Sequence, residues 1–239
     1  MWNRYGEALS LDDIADSAVL SKFYFSRVFG SVTGTSPGRF LAAIRLFRAK
    51  NLLLETTESV TDIAYAVGYN SLGTFTSRFT RSVGASPGRY RMLSLDGGHH
   101  LDGRPAVSDD MATVTGSVEL PEMMEPLRVY VGAFASPVVE GLPVACDLLS
   151  ASGDYTLRNV PPGTWYVRAA AVSVGDVDPR PWLRKPLFLG KAERLTVRPN
   201  TTYGDNRVRM NPARLVDTPI LLALPELDNW GTLQLDTVA

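Results

Sequence analysis

Cysteine and histidine are almost absent: the 239 residues contain one cysteine, Cys146, and two histidines, the adjacent His99 and His100. One thiol cannot build a disulfide framework, and three such groups are too few for a four-ligand zinc site. Long apolar runs are missing too. No stretch approaches the roughly 18 uninterrupted apolar residues of a membrane helix, and residues 1–11 have neither the basic start nor the apolar run of a secretion signal. Catalytic constellations are also lacking. No carboxylates pair at a working spacing, no serine or cysteine nucleophile stands near a histidine, and Gly190-Lys191 lacks the glycine and hydroxyl partners of a phosphate loop. The expectation is a cytoplasmic binding protein that is not an enzyme, with no cofactor, no metal and no membrane partner.

What is present divides the chain in two. With 45% hydrophobic and 21% charged residues, its length suits two modest cores. The first 95 residues repeat apolar positions every three or four, whereas those after about 112 alternate with period two between Gly and Pro punctuation. The organisation read from this is a helical domain over 1–95, a Gly- and Asp-rich linker over 96–112, a β-sandwich over 113–225 and a tail over 226–239. His99 and His100 fall in the linker, where a solvated role suits them best. The net charge of −1 is unevenly spread: residues 1–95 hold 11 Lys and Arg against 7 Asp and Glu, the remainder 13 against 18. A basic first half suits an anionic partner.

The helical half contains an internal repeat. LDDIADSAV at 11–19 aligns with VTDIAYAVG at 60–68, and FSRVFGSVTGTSPGRF at 25–40 with TSRFTRSVGASPGRY at 76–90, at an offset of 49 to 51. Each copy reads as a short amphipathic helix (Leu11, Ile14, Ala15, Ala18 and Val19; then Val60, Ile63, Ala64 and Val67), a tight turn at Val19 or Gly68, and a second helix. The apolar stripes of the second helices are Phe25, Val28, Phe29 and Val32, and Leu72, Phe75, Phe79 and Val83. That pattern is helix-turn-helix, twice. Ser36-Pro37 and Ser86-Pro87 each supply a capping hydroxyl and a first-turn proline for a further helix. The first of these runs to about Glu55, long enough to span close to one turn of B-DNA.

Helical-wheel placement leaves Phe23, Ser26, Arg27 and Gly30 on the outward face of the first candidate reading helix. Arginine can bond the guanine edge in a major groove while an aromatic ring contacts a thymine methyl. The competing reading is a salt bridge for Arg27 and local packing for Phe23. On the second helix Asn70, Gly73, Thr74, Ser77 and Arg81 face outward; the small side chains permit close approach, and Arg81 suits a phosphate.

These residues resemble the DNA-binding domain of the AraC/XylS family of bacterial transcription regulators over about residues 7–93. The resemblance rests on LDDIA, SRVF before GTSPGRF, Arg45-Leu46, Ala49 and Leu52-Leu53, then DIA, VGY, Phe75, Phe79, Gly84, Pro87, Tyr90 and Arg91 in the second copy. It implies two reading helices in successive major grooves of double-stranded DNA. It also implies DNA-contacting residues Lys22, Phe23, Ser26 and Arg27 in the first module and Leu72, Gly73, Thr74, Thr76, Ser77 and Arg81 in the second. The family usually carries a full helix ahead of the first module; here Met1–Tyr5 precede it. Where the family often has arginine, this chain has Ser77, with Arg78 on the flank, so the second module is expected chiefly to grip backbone.

In the second half, strands are expected from 113, at 127–135, 142–149, 154–160, 164–172 and 194–198, with a buried run at 219–224, which together suggest an antiparallel sandwich. GDYTLRNVPPGTWYVRAAA resembles the core of carboxypeptidase regulatory-like and prealbumin-like domains: Tyr155 and Leu157 point inward, 161–163 turn, and Trp165, Val167, Ala169 and Ala171 return. Cys146 reads as a packed small apolar residue. Tyr130 and Phe134 lie opposite Val129, Val131 and Ala133, so both faces of that strand are apolar; with the outward pair Tyr166 and Arg168 they are candidates for an interface or a ligand site. The partners open at this stage are a second copy of the chain, RNA polymerase or a small-molecule effector. The alternative to a transcription regulator is a carbohydrate- or protein-binding sandwich with a docked helical domain.

Overall fold

The computed structural model describes residues 1–95, 110–122, 126–174, 185–222 and 224–227. The linker with His99 and His100, Trp182 and the tail beyond 227 lie outside the described residues. The chain forms two compact units. The first holds six helices: α1 Leu11–Ser17, α2 Lys22–Thr33, α3 Pro37–Glu55, α4 Val60–Ala66, α5 Leu72–Val83 and α6 Pro87–Leu95. It also takes in Pro137–Gly141 and Arg214–Leu222 from the second half of the sequence.

Serine starts each of these six helices. The hydroxyls of Ser10, Ser21, Ser36, Ser59, Ser71 and Ser86 each accept the amide three residues on, satisfying a donor that has no partner inside the helix. Ser10 and Asp13 form a reciprocal capping box, and hydrogen bonds from Ser10 hold the Asp13 carboxyl below its ordinary range. Helices α2 and α5 both stop on a left-handed glycine, Gly34 and Gly84.

The repeat extends to individual hydrogen bonds. In the first turn Val19 N–H donates to Asp16 O and Leu20 N–H to Ala15 O; in the second, Gly68 donates to Tyr65 O and Tyr69 to Ala64 O. The same geometry therefore requires the same left-handed backbone, φ +56° at Val19 and +87° at Gly68. Glycine adopts it freely, whereas a β-branched side chain is strained there. Val19 is 91% exposed, so its side chain returns nothing in packing and does not complete the apolar face of α1 as its spacing suggested.

Each module has an aromatic core. Phe25, Phe29 and Phe40 stack in succession in the first, and Tyr69, Phe75, Phe79 and Tyr90 in the second, at centroid separations of 5.3 to 5.7 Å. Two arginines tie the modules to their lead-in segments. Arg45 of α3 donates to the carbonyls of Tyr5 and Glu7, and Arg91 of α6 to those of Leu53 and Glu58. The segment before α1 is held further by Trp2 edge-on to Phe47 and by Arg48 over the rings of Trp2 and Tyr5.

Lys50 lies inside this unit. It sits on the α3 face shared by Leu46, Ala49 and Leu53, and is buried. Its ammonium donates to the carbonyls of Leu221 (2.8 Å) and Leu222 (3.1 Å) and lies 5.9 Å from the Tyr90 ring centre. Burial pushes its pKa down to about 7.

The second unit is a seven-stranded sheet of β1 Ala112–Glu119, β2 Leu127–Phe134, β3 Ala145–Leu149, β4 Gly153–Val160, β5 Gly163–Ser173, β6 Phe188–Val197 and β7 Thr202–Pro212, in the order β3-β2-β5-β6-β7-β1-β4. The sheet nearly closes, because the Asp147 carboxylate of edge strand β3 accepts the Thr156 amide of edge strand β4 at 2.7 Å. Inside lie Val114, Val131, Tyr155, Leu157, Val167, Ala169, Val208 and Met210. The Tyr155 hydroxyl donates to the Asn206 carbonyl, a contact that passes where a Cβ on residue 116 would collide, hence Gly116. Cys146 is buried, and burial pushes its thiol pKa up.

Three expectations change. The pairing is not wholly antiparallel, since β1 and β7 run parallel. Strand β7 was not anticipated, and β6 begins at Phe188, not 194. Of the buried run expected at 219–224, Ile220, Leu221 and Leu222 are buried outside any strand and belong to the helical unit, while Leu224 begins a 3-10 turn.

Val19→Gly should raise the stability of the helical unit by up to about 1 kcal/mol, the relief of left-handed strain exceeding the added freedom of the unfolded chain. Denaturant unfolding measures it, and a loss of stability would contradict the strain. For Lys50, between pH 7 and the ordinary lysine range the unfolded chain keeps a proton that the folded chain has released, so stability rises with pH there and is insensitive below it. Relative to Lys50→Met, the native protein should gain on the order of 2 kcal/mol from pH 7 to pH 9. A pH-independent difference would show that the ammonium is not desolvated.

Candidate nucleic-acid interface

The outward faces of α2 and α5 are the candidate interface. Their buried faces are fixed by the aromatic cores, which leaves the opposite residues in solvent at positions the repeat makes equivalent.

On α2, Phe23 is 80% exposed, Arg27 is exposed and Ser26 is half-buried. The Arg27 guanidinium lies 5.2 Å over the Tyr24 ring. That contact presents the charge beside an aromatic surface and differs from the salt bridge weighed above. Lys22 is the residue with an ionic partner, 3.3 Å from Asp12, and its ammonium lies 5.9 Å from the Phe23 ring centre. Such an exposed pair is weak and can exchange its carboxylate for a phosphate. Val32 was expected in the buried stripe but is 54% exposed, since α2 ends one residue later and its last turn leaves the core.

On α5, Gly73, Thr74, Ser77, Arg78 and Arg81 line an open hollow of about 440 Å³. Thr76 is half-buried. Leu72, whose spacing placed it in the apolar stripe, is 37% exposed at the helix start; Phe75, Phe79 and Val83 are buried as expected. Of the sequence-derived set the hollow thus joins Gly73, Thr74, Ser77 and Arg81, while Leu72 and Thr76 stand outside its lining. Arg78 was read as a flank residue yet completes the lining. The spacing 74, 77, 78, 81 was the available signal, because steps of three and four share one helix face. Behind it, burial raises the pKa of the Tyr69 hydroxyl, with Arg78 and Arg45 opposing.

The candidates on β5 and β2 separate. Tyr130 and Phe134 are 3% and 4% exposed, so the second apolar face of β2 is covered within the chain and is not a free contact surface. Tyr166 and Arg168 do pair outward on β5, the guanidinium 5.3 Å over the ring and donating to the carbonyls of Val167 and Ala192; burial lowers the Arg168 pKa. Among the described residues no cluster of His, Cys, Asp or Glu could hold a metal ion, and no helix is long and apolar enough to cross a membrane.

A helix-turn-helix domain family model matches residues 14–92. An uncharacterized HTH-type transcriptional regulator of Bacillus subtilis, YobQ, is 36% identical over 85 residues, 36% of this chain and 35% of that protein. The melibiose operon regulatory protein of Escherichia coli is 34% identical over 90 residues, 38% of this chain and 30% of its own. Among solved structures, the DNA-binding domain of AdpA in complex with a target DNA is 29% identical, covering 40% of this chain and 86% of that one, with a TM-score of 0.39. The match spans about a third of the curated relatives' length and leaves the strand-rich unit outside it. Within those limits the repeat, its capped turns and the matched relatives agree: residues 14–92 are an AraC-type helix-turn-helix domain, followed in this chain by a β-rich unit.

Proposed function

We propose that the chain is a sequence-specific, DNA-binding transcription regulator, acting in the cytoplasm, whose two modules read successive major grooves on one face of the duplex. The observation that carries this reading is the pair of outward faces at repeat-equivalent positions, joined by the 19-residue α3. At 1.5 Å per residue α3 extends about 28 Å, comparable with the roughly 34 Å turn of B-DNA.

The faces differ in chemistry, and so in task. Helix α2 offers Phe23 to thymine methyls and Arg27 to a guanine edge, with Ser26 between them. Helix α5 offers Gly73, Thr74 and Ser77, small enough for close approach, between Arg78 and Arg81, which suit phosphates. Lys22 grips backbone at the start of α2, and Leu72 and Thr76 flank the second contact. The strand-rich unit, resembling a prealbumin-like sandwich, serves sensing or interaction; a small-molecule effector, RNA polymerase or a second copy of the chain are its candidate partners.

Duplex binding by the full chain should weaken steeply with salt, by about a thousandfold between 50 and 200 mM if six or more phosphates are contacted. Fluorescence anisotropy across that range checks it, and salt-indifferent binding would contradict a phosphate-based interface. On a duplex selected from genomic fragments, Arg27→Ala should cost about 1 to 3 kcal/mol and relax one base position, while Arg81→Ala should weaken all sequences alike. If both variants keep the native sequence preference, the division of labour between the helices fails.

A further inference from the structure

Lys50 reaches further than the fold requires. Its ammonium holds two carbonyls of 214–222, a segment 171 residues away in sequence. That segment does not act alone. Leu221 N–H donates to Val139 O, which joins it to 137–141, and the Trp2 indole donates to Leu215 O at its other end. The 137–141 piece closes on α5: Gly141 N–H donates to Ser82 O at 2.7 Å, and the buried Ser82 hydroxyl donates to the Glu140 carboxylate at 3.2 Å. The two pieces form a strap fixed to α3 at Lys50 and to the last turn of α5 at Ser82.

The strap holds the two modules differently: it meets the second at the last turn of its reading helix α5, and the first only at the lead-in residue Trp2, among the described hydrogen bonds. From Lys50 an unbroken series of ring contacts runs through Tyr90, Phe79 and Phe75 to Tyr69, along the length of α5. In the first module the equivalent of Tyr90 is Phe40, which stacks on Phe29, and among the described hydrogen bonds none joins either strap piece to α2. Ordinary packing does not call for a charge here, since burying an ammonium is costly unless it is paired and hydrogen-bonded, and carbonyls left unmatched are costly as well. Lysine and strap each require the other.

We propose that Lys50 is a positioning residue for DNA reading: by clamping the strap to α3 it fixes the second reading helix, α5, in its reading position. The strap pieces are continuous in sequence with the ends of β2 and β7. The inference rests on the two-module reading above.

The test uses the full chain and two duplexes: the selected site, and the same site with the half bound by the second module scrambled. Lys50→Met should lower affinity for the full site about tenfold, bringing it towards that for the scrambled site, and leave scrambled-site affinity unchanged. Ser82→Ala removes one hydroxyl at the far end of the strap and should shift affinity the same way by a smaller factor, and it serves if Lys50→Met does not fold. Thermal unfolding confirms which variants are folded. Equal losses on both duplexes, or no loss from folded variants, would overturn the positioning role while the two-module reading stands. Native protein that binds both duplexes equally would instead overturn the reading beneath it.

Discussion

Helix α3 is the constraint on which the helical unit depends. One face carries Phe40 into the first aromatic core; Arg45 holds the lead-in segment of the first module, and the Leu53 carbonyl receives Arg91 from the second. Because both modules are seated on one rigid rod, their separation is set by its length and not by a flexible joint. On the proposed function, the two reading helices then act as one, since the second contact is made at a fixed distance from the first. The serine caps matter for the same reason. α1 and α4 have seven residues each, too short to hold in water without caps and packing.

The repeated halves have diverged in instructive places. The first turn keeps the hydrogen bonds of the second but fills the left-handed position with valine, so its strain is built into a reading module. The first reading helix presents rings, the second small hydroxylic residues between arginines. The second module is also the one gripped by the strap. On the function proposed above, a symmetric scaffold thus carries an asymmetric pair of readers, one suited to base edges and one to backbone.

Much of the helical unit was legible in the sequence because local signals agree there: capping serines, three-and-four spacing and the repeat itself point to the same helices. Val32 and Leu72 were misplaced because periodicity assigns a face without knowing where the core ends. Strand β7 escaped because its outward Arg207 and Arg209 flank only two inward apolar residues, Val208 and Met210, a short alternation in a polar stretch. The strap could not be found by local pattern at all. Its buried Ile220, Leu221 and Leu222 read as a strand, and what makes them something else is a lysine far away in sequence. Lys50 did carry a signal, since Leu46, Ala49 and Leu53 put it on an apolar helix face, where a lone charge needs a partner.

On the proposed function, one rod holds two readers in adjacent major grooves on one side of the duplex. Hydroxyl-radical footprinting of the full chain on its selected site tests this most directly. Two protected patches are expected on the same face, centred about one helical turn, or 10 base pairs, apart. A single patch, or two patches on opposite faces of the duplex, would contradict it.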